Sequence, residues 1–318
     1  MEMRRLGRSD LRIAPLMLGG NVFGWTADEA PSFAILDAFV DAGFNAVDTA
    51  DVYSRWAPAG GGASERVLGA WFAASGKRDK VVLATKLGME MGPDAKGLSA
   101  KYMVQAVEES LKRLRTDRIE LYQSHRDDPE TPQEETMEAF SRLVQQGKVV
   151  AIGASNFDAA RLRSANQLAE AAGWPRYETL QPLYNLYDRT PFEGELQAAC
   201  AEMEVSVIPY YGLASGFLTG KYRSEADLAK SPRGRGAKKY LGERGDAILT
   251  ALDGAAAELG ATVAQVSLAW LMTKIAAPIA SATSVAQLQE LIGAASLRLS
   301  PRIVESLDRA SAPTAVGA

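Results

Sequence analysis

The chain has 318 residues, 47% hydrophobic and 23% charged, with 35 basic and 39 acidic residues and a formal net charge of −4. That balance is the one of a soluble globular chain able to bury a large core, and it excludes disorder, collagen-like repeats and a nucleic-acid binder working through a basic surface. One cysteine, Cys200, and one histidine, His125, exclude internal disulfides, Cys-rich zinc sites and zinc motifs that need two histidines.

Short β-branched runs alternate along the chain with longer segments of helical period. In chain order the runs are 16–20, 44–49, 81–85, 119–124, 149–154, 179–183, 205–210 and 278–281, which predict eight strands. They are mostly apolar on both faces, as parallel strands buried on both sides require. Between them, 31–42 puts Ile35, Leu36, Phe39 and Val40 on one helical face. Ser99 is a candidate N-cap for a helix carrying Met103, Val107, Leu111 and Leu114. The segment 133–146 repeats the pattern with Met137, Phe140, Leu143 and Val144, and Gly147 is its candidate C-cap. Strand–helix alternation repeated eight times predicts a closed (β/α)8 barrel spanning 1–318 as one domain, with a doubly wound open sheet as the alternative.

One interval breaks the rhythm. From 212 to 277 the chain carries a Gly-rich, basic loop and then two helical stretches, 246–259 and 262–274. The loop holds Lys221, Arg223, Lys230, Arg233, Arg235, Lys238, Lys239 and Arg244 against Glu225, Asp227 and Glu243. It reads as a functional loop over the catalytic face, with a solvated insertion as the plainer alternative. The first eight residues have charge but no apolar core of a signal peptide, and no apolar run reaches the ~18 residues of a membrane span. A cytoplasmic location with neither membrane nor nucleic-acid partner is therefore expected. A homo-oligomer is left open.

Barrel enzymes place chemistry at the carboxyl ends of strands. Asp48 ends the second predicted strand, Tyr53 lies in the loop after it, Lys86 follows the third and His125 the fourth. Each residue alone also fits a turn former, a half-buried aromatic, an edge lysine or a structural histidine. Together they suit proton delivery to a carbonyl oxygen while a hydride arrives at carbon. An ammonium beside a phenol should lower its pKa, a buried carboxylate should keep the ammonium charged, and the imidazole can orient the substrate oxygen. A strand-end lysine also leaves open a Schiff-base aldolase.

The fragments Met3-Arg4-Arg5-Leu6-Gly7-Arg8-Ser9, Asp48-Thr49-Ala50-Asp51-Val52-Tyr53, Gly62-Ala63-Ser64-Glu65, Ala84-Thr85-Lys86, Ser124-His125-Arg126-Asp127-Asp128, Gly153-Ala154-Ser155-Asn156-Phe157 and Ser215-Gly216-Phe217-Leu218-Thr219-Gly220-Lys221-Tyr222 carry a resemblance over essentially the whole chain. In them the sequence resembles the aldo-keto reductase superfamily. The resemblance implies a (β/α)8 barrel using a nicotinamide cofactor to interconvert aldehydes or ketones with alcohols. It puts the catalytic Asp-Tyr-Lys-His set on Asp48, Tyr53, Lys86 and His125, with Tyr53 as general acid and no metal. It also implies carboxamide contacts from Ser155, Asn156 and Gln181, nicotinamide stacking by Tyr210, and a pyrophosphate loop over 213–221. The candidate cofactor set further includes Gly20, Asn21, Gly212, Leu213, Ser215, Gly216, Leu218, Lys221, Arg233, Ser281, Thr283 and Gln287. Phe23, Trp25 and Trp56 are candidates for an apolar substrate pocket.

The chain departs from the family pattern in places. Tyr211-Gly212-Leu213 replaces Ser-Pro-Leu, Thr283 stands where many members have an Arg for the 2′-phosphate, and Leu291 replaces an adenine-binding Asn. NADP(H) is favoured because of the basic loop, with Arg233 as the phosphate contact, and NAD(H) is left open. A regulatory protein like the potassium-channel β subunits, which resemble this family, is the remaining alternative.

Overall fold

The computed structural model describes residues 1–55, 57, 60–231 and 234–313. Trp56 and Arg233, both candidates from the sequence, lie outside the described residues. Eight parallel strands form the centre: β1 Met17–Gly19, β2 Ala46–Asp48, β3 Val82–Leu87, β4 Ile119–Ser124, β5 Val149–Ser155, β6 Tyr177–Gln181, β7 Ser206–Val207 and β8 Ile279–Ala280. Each pairs with the next in sequence from β1 to β7, and β8 pairs with β1 through Ile279 opposite Met17. The Ala276 N–H donates to Val207 O and the Ile279 N–H to Pro209 O, both at 3.0 Å, which joins the last strand to the seventh. The result is the expected (β/α)8 barrel.

Helices alternate with the strands: α1 Glu29–Asp41, α2 Ala63–Ser75, α3 Ala100–Leu114, α4 Gln133–Gln145, α5 Ala159–Ala172 and α6 Glu195–Glu202. After β7 come α7 Glu243–Leu259 and α8 Val263–Met272, and after β8 come α9 Val285–Gly293 and α10 Pro301–Ala310. Ser99 caps α3 as expected, its hydroxyl accepting from the Tyr102 N–H at 3.4 Å. Among the described residues no single helix is long and apolar enough to cross a membrane.

The period of two along the strands sorts the barrel interior into layers. Near the strand starts the inward residues are apolar: Met17, Ala46, Ala84, Leu121 and Ala151 share a cluster with Leu6 and Ile13. Leu6 and Ile13 belong to an N-terminal hairpin, Arg4–Arg5 paired with Arg12–Ile13, which closes that end of the barrel. Two residues further along the same strands, the inward positions become Asp48, Lys86, Gln123 and Gly153, all near the opposite end. Gly153 is required there, because a Cβ would sit 2.2 Å from Thr179 Oγ1 and 3.1 Å from Gln123 Cγ. A dry floor and a polar rim are thus built from one alternation.

Candidate active site

Asp48 and Lys86 face each other across adjacent strands and are fully buried, with Lys86 Nζ 2.8 Å from Asp48 Oδ2. The ammonium also donates to Thr49 O at 2.8 Å and to the Tyr53 hydroxyl at 3.0 Å. Tyr53 donates to Asp48 Oδ2 over a longer 3.3 Å. Gln181, at the end of β6, holds the other Asp48 oxygen at 2.9 Å. His125 stands edge-on to Tyr53, ring centroids 5.9 Å apart at 74°. The four residues expected to act together are therefore brought together.

Burial sets their protonation. Removal from water and the nearby Lys86 charge push His125 well below its ordinary 6.5, so the imidazole is neutral. Burial lowers Lys86 from its ordinary value, and the Asp48 carboxylate opposes that loss. Tyr53 moves opposite to the sequence-based expectation. Burial first, and the Asp48 carboxylate second, push the phenol well above 10. The expected lowering by Lys86 does not prevail, because the same ammonium is already matched by Asp48. Tyr53 therefore holds its proton firmly.

Asp48, Tyr53 and His125 open on a cleft of about 880 Å³ that also runs past Ser155, Asn156, Gln181, Tyr210, Gly212 and Leu213 to Lys221, Thr283 and Gln287. Its size and polarity suit a dinucleotide with room for a small molecule. Tyr210 is tied by its hydroxyl to Asn156 Oδ1 at 2.8 Å, and Asn156 in turn donates to His125 O at 3.0 Å. The loop after β7 curls through three left-handed residues, Ala214, Ser215 and Gly216, with φ of 47°, 56° and 91°. Consecutive backbone of this kind can turn N–H groups toward an anion. The Lys221 ammonium closes over it: a Cβ on Gly216 would meet Lys221 Nζ at 3.3 Å. Asn21, Ser215, Gly216 and Ser281 line the same cleft. The residues present therefore fit a nicotinamide dinucleotide.

Four expected site residues, Phe23, Leu218, Gly20 and Trp25, lie off the cleft wall. Phe23 is fully buried and does not line the cleft; its carbonyl instead accepts from Ser54 Oγ at 2.9 Å. Leu218 is likewise core rather than cofactor surface. Gly20 is buried and accepts from Ser64 Oγ at 2.7 Å. Trp25 does not line the cleft either. Thr26, Met89 and Tyr211 do line it near Tyr53 and His125, and they were not singled out from the sequence. Tyr211 is signalled only by the departure from the family's Ser-Pro-Leu. Glu290, also missed, lines the cleft beside Gln287.

Several cations of the basic loop are paired within the loop or with neighbouring segments. Arg223 makes a two-pronged pair with Asp253, both contacts 2.8 Å, Lys230 pairs with Asp227 at 2.6 Å and Lys238 with Glu225 at 3.0 Å. Arg244 donates to the carbonyls of Tyr187 and Ser311. Among the described residues Lys221 is the cation that lines the cleft.

An eight-stranded parallel barrel with an acid, a phenol, an amine and an imidazole at its carboxyl rim beside a dinucleotide-sized cleft is an architecture suited to an oxidoreductase. The sequence matches the Aldo/keto reductase family over residues 15–312, and the chain belongs to that family of nicotinamide-using oxidoreductases. It is 39% identical to an uncharacterized oxidoreductase, YrpG, of Bacillus subtilis, over 97% of this chain and 95% of that one. It is 33% identical to the aldo-keto reductase yakc [NADP(+)] of Schizosaccharomyces pombe, over 91% and 84%. It is also 33% identical to a probable voltage-gated potassium channel subunit beta of Oryza sativa subsp. japonica, over 97% and 96%.

Proposed function

We propose that the protein is an NAD(P)H-dependent carbonyl reductase, reversible to alcohol oxidation, with Tyr53 as general acid. The observation that carries this reading is the Tyr53 hydroxyl on the cleft wall, bonded to Lys86 at 3.0 Å and edge-on to a neutral His125. A carbonyl oxygen seated between Tyr53 and His125 accepts a hydrogen bond from the phenol in place of the long 3.3 Å bond to Asp48. When bound, the reduced nicotinamide supplies the hydride. As negative charge gathers on the oxygen, Tyr53 gives up its proton to it. Lys86, already hydrogen-bonded to the phenol oxygen, stabilises the phenolate left behind. Asp48 keeps Lys86 in place, and Gln181 keeps Asp48 in place. Ser155, Asn156, Gln181 and Tyr210 would hold the nicotinamide end, and the 213–221 loop with Lys221 the pyrophosphate.

The aldolase alternative loses support from the same geometry. Lys86 is buried and its three donor positions go to Asp48, Thr49 and Tyr53, so no free amine meets a substrate. The channel-subunit relative keeps a slow redox-sensing regulator as the second reading, and multiple turnovers separate the two. The test is a screen of aldehydes, ketones and quinones for oxidation of NADPH and NADH. Steady turnover of at least one carbonyl class supports the reading, and none across the panel overturns it.

NADPH should bind more tightly than NADH. Thr283 spends its hydroxyl hydrogen on Gln287 Oε1 at 3.0 Å, but the Ser284 hydroxyl accepts from the Gln287 N–H and keeps its own hydrogen. That donor, next in sequence to the cleft-lining Thr283, favours a 2′-phosphate, while Glu290 on the cleft wall opposes it. One charge-assisted contact is worth roughly 1.5–3 kcal/mol, or about 10- to 100-fold in affinity. The preference should shrink with added salt. Fluorescence titration with both cofactors at two salt concentrations checks this, and equal or tighter NADH binding at low salt contradicts it.

A further inference from the structure

Behind the catalytic residues lies a second buried cluster, which the reaction as described does not use. Glu65 of α2 is fully buried, bonded to Thr85 Oγ1 and to Arg113 Nε, both at 2.6 Å. Asp51 sits beside it, 1% exposed, in the loop between Asp48 and Tyr53. Its backbone N–H donates to Lys86 O at 3.2 Å, which pins Asp51 against the strand that carries the catalytic lysine. Neither Asp51 carboxyl oxygen has a hydrogen-bond partner among the described residues. The Val52 N–H lies near enough to favour the charged form slightly, without the geometry of a bond.

The charges around Asp51 can be counted. Glu65 faces it from α2, Tyr102 and Arg113 from α3, Lys86 from β3 and Tyr122 from β4, with Asp48 and Tyr53 on its own segment. Three carboxyls, Asp48, Asp51 and Glu65, stand against two cations. Each cation is already bonded to another carboxyl, Lys86 to Asp48 and Arg113 to Glu65, and Arg113 also meets the exposed Glu109 of α3 at 3.4 Å. An unpaired carboxylate in such a place is costly, so the odd member stays protonated until the solution is alkaline. Burial, with the Glu65 charge second, moves Asp51 up to about 8.

We propose that Asp51 is a positioning residue which, on losing its proton in alkaline solution, adds a negative charge behind Lys86 that keeps the proton on Tyr53 and so restrains alcohol oxidation. The inference rests on Tyr53 being the acid in reduction and hence the base in oxidation. In oxidation the alcohol hydroxyl gives its proton to the Tyr53 phenolate as the hydride leaves carbon. Anything that holds the phenol together slows that step. A negative Asp51 does so through Lys86: it draws on the ammonium charge that would stabilise the phenolate.

The test compares Asp51→Asn with the wild type in alcohol oxidation across about pH 6 to pH 10. The amide keeps the shape of the side chain but cannot ionise. The ratio of variant to wild-type kcat/KM should climb with pH through the region near 8. Its rise should reach about tenfold, the order of a unit charge acting within a protein interior of effective dielectric constant ~20. A merely structural role lowers the ratio at every pH and leaves it flat, which overturns the proposal. If the wild type turns over neither alcohols nor carbonyls, the functional reading falls and takes the proposal with it. If Asp51→Asn folds poorly, infrared spectroscopy of the wild-type chain decides. A buried protonated carboxyl stretch present at about pH 6 and lost by about pH 10 supports the proposal, and its absence at about pH 6 overturns it.

Discussion

At the scale of single residues, burial decides more than charge. His125 is the chain's one imidazole, and its Nδ1 is buried with no protein partner among the described residues. Its proton affinity in the fold lies well below the ordinary 6.5. Below that pH the unfolded chain therefore binds a proton that the native state refuses, so stability falls as the solution is acidified. Being alone, the residue gives one imidazole signal in NMR. That signal should stay that of a neutral ring from about pH 8 down to about pH 5.5, whereas a midpoint near the ordinary value would contradict the assignment. Asp48, Tyr53, Lys86 and His125 were legible in the sequence because strand-end positions and a shared motif converge on them. Phe23, Leu218, Gly20 and Trp25 lie off the cleft wall for a physical reason. A residue in a loop next to the cleft can turn into the core or out of it, and no period constrains which. The direction of the Tyr53 shift was misread as well, because sequence supplies the neighbouring charges but not the desolvation that outweighs them.

At the scale of elements, the strand–helix alternation was readable and the boundaries were not. The run at 205–210 was expected as a strand; Ser206–Val207 form the ladder, and after the gap left by Pro182, which has no N–H to donate, Tyr210 rejoins β6's line through its N–H to Pro182 O at 3.0 Å and a bridge to Leu183. The sixth strand begins at Tyr177, two residues earlier than expected, and ends at Gln181 before Pro182. The N-terminal hairpin, with strands of two residues each, is too short to leave an alternation in the sequence. Helix α2 was not singled out either: eight of its 13 residues are buried, polar Ser64 and Glu65 among them, which blurs its apolar stripe. Its packing turns on Gly69. A Cβ there would come 2.2 Å from Arg113 O and 2.8 Å from Leu114 C, backbone atoms of α3 that cannot swing aside. Gly69→Ala should push α2 off the end of α3, where Glu65 meets Arg113. Overpacking costs about 1–3 kcal/mol, which exceeds the ~1 kcal/mol that Ala gains over Gly as a helix former. Denaturant unfolding should show a net loss of stability, and an alanine variant as stable as the wild type would refute this packing argument.

At the scale of the whole molecule, the barrel explains why residues far apart in sequence meet. Asp48 and Gln181 are 133 positions apart yet 2.9 Å distant, because β2 and β6 send inward side chains to the same rim. The dry floor at one end and the polar rim at the other give the chain one face on which proton transfer can occur. The cleft leads from that rim along the loop after β7, so cofactor and carbonyl would meet at Tyr53. What sequence leaves undecided, the cofactor's 2′-phosphate contact and the substrate, depends on loops whose shape no repeating period dictates. The central claim is that Tyr53 delivers the proton, and one measurement bears on it most directly. Steady-state carbonyl reduction by Tyr53→Phe is compared with the wild type, alongside cofactor titration and melting of both proteins. The account predicts unchanged fold and cofactor affinity, with kcat lower by about 10²–10⁴-fold. A folded, cofactor-binding variant that keeps more than roughly a tenth of wild-type kcat would contradict it.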